Sequence, residues 1–339
     1  MKKNVLFFSP TFYELPLNEN IKKKYDNLSE VAHVTVLAFS NQKKIYTESE
    51  TTFYLNKKNK SRIFNYLKIF FVSYFQIPKL ISQYEIEIVT FQDPVTSFLG
   101  VYKIKKKYKD VKIVIESHGD FINTLELEKN LTFPNLYKNL FSRMASYTIN
   151  CADMLRAVSS STEEQALSFN PSKRVVRFPA WIDFEIFSNI DPLRDSDGKF
   201  KILFIGSVTD RKKPHMIIDA LPELINDQVE LNIVGPTPNQ NYLESLKDKI
   251  KSKNVEDRVF IHGNKNRDEV KKFYSENNLM ILPSVSEGLA RVIFESQVTG
   301  CPVLVTDAPG MQDIVIDGQT GYVFESNNLN SMIKKINHV

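Results

Sequence analysis

Two glutamates, Glu287 and Glu295, stand eight residues apart in the run Pro283-Ser284-Val285-Ser286-Glu287-Gly288-Leu289-Ala290-Arg291-Val292-Ile293-Phe294-Glu295. The apolar run Leu279–Leu282 precedes it, and Gly300 followed by Pro302 supplies a helix stop. This pattern predicts a strand and then a helix opened by Ser286-Glu287-Gly288. Free N–H groups of Gly288, Leu289 and Ala290, together with the helix dipole, would make an anion site suited to a diphosphate. On a continuous helix Glu295 would lie about 12 Å beyond Glu287 along the axis, at ~1.5 Å per residue. Carboxylates so far apart cannot share one proton, so they form no acid–base dyad. They suit the two ends of one elongated ligand, held through its hydroxyls. The plainer alternative is an N-cap glutamate and a solvated helical one.

A second constellation is Phe204-Ile205-Gly206-Ser207 followed by Arg211-Lys212-Lys213-Pro214. A glycine turn ends a strand there, and cations stand before a helix opened by proline. Positive charge so placed would neutralise a departing pyrophosphate; a solvated charged loop is the alternative. The spacing is not that of a Walker loop. The third is Glu116-Ser117-His118-Gly119-Asp120, at the end of the apolar run 111–115. It puts His118 at the carboxyl end of a strand, where ligands of parallel sheets sit. Asp195-Ser196-Asp197 has the D-x-D form of a metal site, but no apolar strand precedes it and it reads as solvated. No cluster has zinc spacing and no G-x-S-x-G elbow appears, so neither a metal nor a bound cofactor is expected.

Positioning these residues requires strands that end beside them. Strand-like runs fall at Asn4–Ser9, His33–Ser40, Glu87–Gln92, Val111–Ser117 and Met154–Ser159, with helical runs such as Ile63–Gln83 and Ser97–Tyr108 between them. The scheme repeats with strands Lys201–Ile205, Val229–Val234, Arg258–Ile261, Leu279–Pro283 and Pro302–Thr306. Helical runs at Pro214–Ile225, Tyr242–Ser252, Asp268–Glu276 and Leu289–Thr299 alternate with those strands. Continuously apolar strands indicate parallel sheets covered on both faces. The reading is therefore α/β, with two doubly wound domains: 1–189, a polar linker at 190–199, and 200–339. A cleft between the domains is expected. Eight of the 11 glycines lie between 206 and 321 and none before residue 100, which marks the second domain as the place where backbone approaches a ligand.

The 339 residues carry a net charge of +4, unevenly: residues 22–109 alone hold 16 Lys and Arg against 7 Asp and Glu. Such an excess suits an anionic membrane surface or polymer, or a set of solvated helix faces. It lacks any nucleic-acid recognition module, so nucleic acid is not expected as a partner. Arg62–Lys79, aromatic and basic by turns, reads either as a bilayer-docking segment or as an ordinary crossover helix. No apolar run reaches the ~18 residues of a membrane span. Two distant cysteines and no secretory leader point to a cytoplasmic protein, at most peripheral on the inner face of a membrane.

In this order and spacing the segments resemble glycosyltransferase family four. Pro179 to Phe187 resembles the stretch after the last strand of that family's first domain, and Gly206 to Lys212 resembles its phosphate-gripping segment. Val259 to Gly263, Leu282-Pro283-Ser284 and the late turn Asp317 to Val323 resemble further family segments. Glu287 to Glu295 reproduces the family's spacing of paired glutamates. The resemblance implies a GT-B fold of two facing Rossmann-like domains. It also implies a retaining, metal-independent hexosyltransferase that uses a nucleotide sugar and serves polysaccharide biosynthesis through a glycan or lipid-linked acceptor. It implies that Glu287 contacts donor-sugar hydroxyls and Glu295 the ribose. Arg211, Lys212 and the N–H groups of residues 288–290 would hold the diphosphate beside Gly206 and Ser207, and His118 would sit next to the transferred sugar. Three departures stand out. Ser207 replaces the usual arginine, the loop Ser9 to Glu14 has no glycine, and the chain ends soon after a helix beginning near Asn328, so the second domain is expected to be truncated. A GT-B epimerase and a non-catalytic GT-B partner subunit are the alternatives weighed.

Overall fold

The computed structural model describes residues 2–59, 61–119, 121, 134–188, 190–193 and 198–339. Asp120 and Asp195-Ser196-Asp197 lie outside the described residues. The chain divides into two compact units, Met1–Trp181 and Ile182–Val339. Side chains on either side of that division explain where it falls. The Trp181 indole donates to Asn20 Oδ1 at 2.9 Å, whereas Phe187 is buried in the second core, edge-on to Tyr274. The sequence had set the boundary at 190–199, by polarity; packing commits the chain to the second unit a few residues earlier.

In chain order the first unit comprises β1 (Lys3–Phe12), α1 (Glu19–Val31), β2 (Ala32–Ser40), β3 (Lys44–Glu48), β4 (Thr51–Lys57), α2 (Arg62–Tyr84) and β5 (Ile88–Phe91). It continues with α3 (Phe98–Lys107), β6 (Lys112–Ser117), α4 (Pro134–Cys151), β7 (Met154–Ala157), α5 (Ser160–Phe169) and β8 (Val175–Arg177). Its sheet runs β3-β4-β2-β1-β5-β6-β7-β8, parallel except for the β3–β4 hairpin. Alternation along β2 divides the core. Leu37 and Phe39 join one cluster, with Phe8 and Phe91; Val34, Val36 and Ala38 join the other, with Tyr25 and Phe53. Successive side chains of a strand point to opposite faces, so one apolar run serves both layers. The β3–β4 hairpin had no counterpart in the sequence reading, because Lys44-Ile45-Tyr46-Thr47-Glu48 is short and largely exposed.

The second unit holds β9 (Phe200–Ile205), α6 (Pro214–Ala220), β10 (Val229–Val234), α7 (Gln240–Ser252), β11 (Val259–Gly263), α8 (Arg267–Glu276), β12 (Leu279–Leu282), α9 (Arg291–Val298), β13 (Val303–Thr306), β14 (Tyr322–Phe324) and α10 (Leu329–Ile336). The sheet is parallel throughout, in the order β11-β10-β9-β12-β13-β14. Leu279 to Leu282 and Val303 to Val305 are wholly buried, as strands covered on both faces require. After β9 the chain proceeds to β10 and β11 on one side, then returns to place β12 on the other. The loops after β9 and β12 therefore flank a topological switch point, where a doubly wound sheet leaves room for a ligand. The helix expected over Pro214–Ile225 stops at Ala220 and tightens into a 3₁₀ turn, Leu221–Glu223; Pro222 has no N–H to continue an α-helical ladder.

Gly235 follows β10 at φ 140°, and a Cβ there would overlap the carbonyl oxygen of Gly206. Gly235→Ala should therefore lower the unfolding free energy of the second unit by about 3 kcal/mol, from backbone strain plus overpacking. Urea denaturation checks this; a loss under about 1 kcal/mol would mean that the two loops do not meet this closely.

Candidate active site

The loop between β12 and α9 is tied to the segment after β9 and to the end of β13 with the loop that follows it. On one side Val285 N donates to the Arg211 carbonyl at 3.1 Å. On the other, Thr306 Oγ1 donates to the Ser284 carbonyl at 2.6 Å, and Glu287 N to that of Pro309 at 3.3 Å. Gly310, at φ 87°, has no Cβ to overlap the Glu287 carbonyl oxygen. These bonds hold the Glu287 side chain against the loop that follows β9.

There its Oε1 lies 3.0 Å from Lys212 Nζ and 3.3 Å from Arg211 Nη1, and accepts from Ser284 Oγ at 2.8 Å. The Arg211 guanidinium also donates to the Ser286 carbonyl. All three charged side chains are largely buried. Burial opposes ionisation of Glu287, but the Lys212 ammonium and Arg211 guanidinium outweigh it and hold the carboxyl below its ordinary range. Lys212 reaches back over Gly206, its Nζ 3.0 Å from where a Cβ would stand. Ser207 is half-buried in the same loop. The fold thus brings together Gly206, Arg211, Lys212 and Glu287. It adds Ser284 and Gly310, whose part the sequence did not reveal. A serine three residues before Glu287 is the signal that could have found the first; nothing local marks Gly310.

The helix begins at Arg291, not at Ser286-Glu287-Gly288. Ala290 is its N-cap, at φ −80° and ψ 85°, without a side-chain cap. Residues 288–290 precede the helix rather than form its first turn, so Glu287 and Glu295 do not share one continuous helix. Glu287 N–H is bonded instead to the Pro309 carbonyl, and Gly310 lies against the Glu287 carbonyl. Among the described residues the N–H groups of Gly288, Leu289 and Ala290 have no protein acceptor, so they remain available to an anion at the mouth of the helix. Glu295 sits apart from this cluster. Burial raises its pKa, against a hydrogen bond from Tyr274 Oη at 3.1 Å and the nearby Arg291 and Arg267. Tyr274, fully buried, was not anticipated from the sequence.

In the first unit His118 follows β6, its Nε2 2.6 Å from Glu116 Oε2. Glu116 is buried, and its Oε1 lies 3.1 Å from Arg156 Nη1 of β7, its register partner. Burial opposes the charge on Glu116, yet the His118 hydrogen bond and Arg156 bring its pKa below the ordinary value. The Arg156 guanidinium lies 4.1 Å over the Phe178 ring and donates to the Pro179 carbonyl at 2.8 Å. Asp93, after β5, feels His118 as well; burial dominates and raises its pKa. Period-two spacing puts Glu116 and His118 on one side of the strand, but the link to Arg156 depends on register and was not legible. Among the described residues no group of three or more His, Cys, Asp or Glu is arranged to hold a metal.

Two units, each built on a mainly parallel sheet with helices on both faces, have the architecture of the GT-B fold. Residues 29–186 match the family described as Glycosyltransferase Family 4, and residues 186–339 match Glycosyl transferases group 1. Between them they span the chain from residue 29 to its end, and the chain belongs to glycosyltransferase family four. An uncharacterized glycosyltransferase of Methanocaldococcus jannaschii is 26% identical, over 70% of this chain and 71% of its own. The capsular polysaccharide biosynthesis glycosyltransferase CapM of Staphylococcus aureus is 25% identical, over 62% of this chain and 57% of that protein. Among solved structures, HepE of Anabaena in complex with UDP superposes with a TM-score of 0.69 at 16% identity, covering 99% of this chain and 89% of the other.

The pKa of Glu287 is lower in the folded than in the unfolded chain, where it is near 4.5. Its contribution to stability is thus fully present above about pH 4.5 and is lost as the pH falls through the lower folded value. Glu287→Gln should lower stability at pH 7 by about 3 kcal/mol, because two largely buried cations lose their counter-charge. The gap between variant and parent should close with acidification. Urea titrations at pH 7 and pH 3 test this, and equal stabilities at pH 7 would contradict the buried ion-pair cluster.

Proposed function

We propose that the chain is a retaining, metal-independent transferase that moves a hexosyl group from a nucleoside-diphosphate sugar to a glycan or lipid-linked acceptor in the cytoplasm. The observation that carries this reading is the Glu287 carboxylate held between Lys212 and Arg211 beside Gly206. In this reading the two cations and the N–H groups of residues 288–290 grip the diphosphate. Glu287 accepts from donor-sugar hydroxyls, Glu295 meets the ribose, and His118 stands by the transferred sugar. The acceptor oxygen attacks the anomeric carbon on the face from which the diphosphate leaves. The C–O bond to the β-phosphate breaks, and a phosphate oxygen takes the acceptor's proton. No protein base is then needed, and fixed positive charge on the leaving group supplies the main stabilisation. Arg211 and Lys212 occupy the role that a divalent cation plays in metal-dependent transferases.

The UDP bound by HepE, on the same fold, supports a nucleotide donor. The relation to CapM supports polysaccharide biosynthesis as the setting.

Calorimetric titration with UDP-, GDP- and ADP-sugars should find at least one ligand. Turnover of that ligand should persist in EDTA and yield a product with the donor's anomeric configuration by proton NMR. Glu287→Ala and Lys212→Ala should each lower kcat/KM by roughly 100-fold or more. Failure to bind or turn over any of these sugars would overturn the reading, and a fully active Glu287→Ala would overturn the site.

A further inference from the structure

Helices α2, α3 and α4 lie side by side in the first unit, α2 against α3 and α3 against α4. Their buried residues, including Val72, Ile77 and Leu80 of α2 and Ile104 of α3, join the core around β5 and β6. A helix that only crosses between strands should be polar on its other side. On α2 that side is apolar instead. Phe64, Leu67, Phe71 and Phe75 recur every three or four residues and are 63, 47, 56 and 58% exposed. Phe71 and Phe75 stack, with centroids 6.3 Å apart and planes at 15°. Tyr102 of α3 and Leu136 and Leu140 of α4 are exposed on the same layer.

The charge on this layer is as one-sided. Residues 62–84, 98–107 and 134–151 contain nine Lys and Arg and no Asp or Glu. At the average acidic content of the chain about six would be expected. Lys79, Lys106, Lys107 and Arg143 are all exposed. Among the described residues no helix is long and apolar enough to cross a membrane, so apolar contact with lipid would be made from the surface.

We propose that the α2–α3–α4 layer is a docking surface for an anionic phospholipid bilayer. The aromatic stripe of α2 enters the boundary between headgroups and acyl chains, to a depth of about 5–10 Å. The surrounding lysines meet lipid phosphates, each strengthening partition roughly fivefold while it stays within a Debye length of the surface. Two features select lipid over other occupants. A soluble polyanion would use the lysines but leave the stacked phenylalanines in water. A second copy, related by two-fold symmetry, would bring the same cationic layer against itself.

Co-sedimentation of the full chain with phosphatidylglycerol-containing vesicles, against pure phosphatidylcholine vesicles, tests the proposal. Binding to the anionic vesicles alone is expected, weakening as salt rises. Phe71→Ser with Phe75→Ser, and separately Lys79→Glu with Lys106→Glu, should each lower the partition coefficient about tenfold. Melting temperature and nucleotide-sugar titration should stay as in the parent. The readout involves no sugar donor, so its failure is distinct from failure of the proposed activity. Three results would overturn the proposal: no binding to anionic vesicles, binding that the lysine pair weakens but the phenylalanine pair does not, or a lipid-free dimer by light scattering that the phenylalanine pair dissolves.

Discussion

A carboxylate removed from water must be neutralised or matched by fixed positive charge, and Glu287 is matched. Lys212 and Arg211 reach it from the loop after β9, while Ser284 comes from its own loop. That demand accounts for much of the second unit's architecture. It requires that β9 and β12 be adjacent, so that the loops after them meet. It requires Gly310, because the backbone carrying Glu287 presses against the next loop.

The first unit applies the same physics with different partners. Glu116 is buried at the end of β6 and matched by Arg156 across the strand pair and by His118 two residues on. In both units a buried anion at the carboxyl edge of a parallel sheet orders cationic or imidazole side chains around it. Once paired, those side chains lose rotameric freedom before any ligand arrives, which lowers the ordering cost of binding. The outer helices of the first unit carry the opposite design. They have exposed aromatic rings and no acidic residue.

Particular residues mark how far the sequence could be read. The buried strands Leu279–Leu282 and Val303–Thr306 stood out, because continuous apolar runs bounded by glycine and proline have few other uses. Gly206, Lys212 and Glu287 could be singled out because strand ends and charge are local properties. The start of α9 was misplaced by several residues. A serine, a glutamate and a glycine before an apolar run make a good helix opening, whereas Glu287 N–H finds its acceptor in Pro309, on the loop after β13. Tyr274 looked like any aromatic residue late in an amphipathic helix, yet it is fully buried and donates to Glu295. On α2 the sequence favoured an ordinary crossover helix over bilayer docking, because periodicity alone does not say which of two apolar faces a sheet covers.

The sequence by itself determined the α/β alternation, the crowding of glycine into the second half and the acidic-free stretches of the first. Each depends only on composition and on the periods of strand and helix. The tertiary structure decided that Arg211 and Lys212 turn onto Glu287, that Arg156 joins Glu116, and that Phe64, Leu67, Phe71 and Phe75 face outward. Those outcomes depend on strand order, register and the packing of one layer on another. They couple residues far apart in the chain, so no local pattern can encode them.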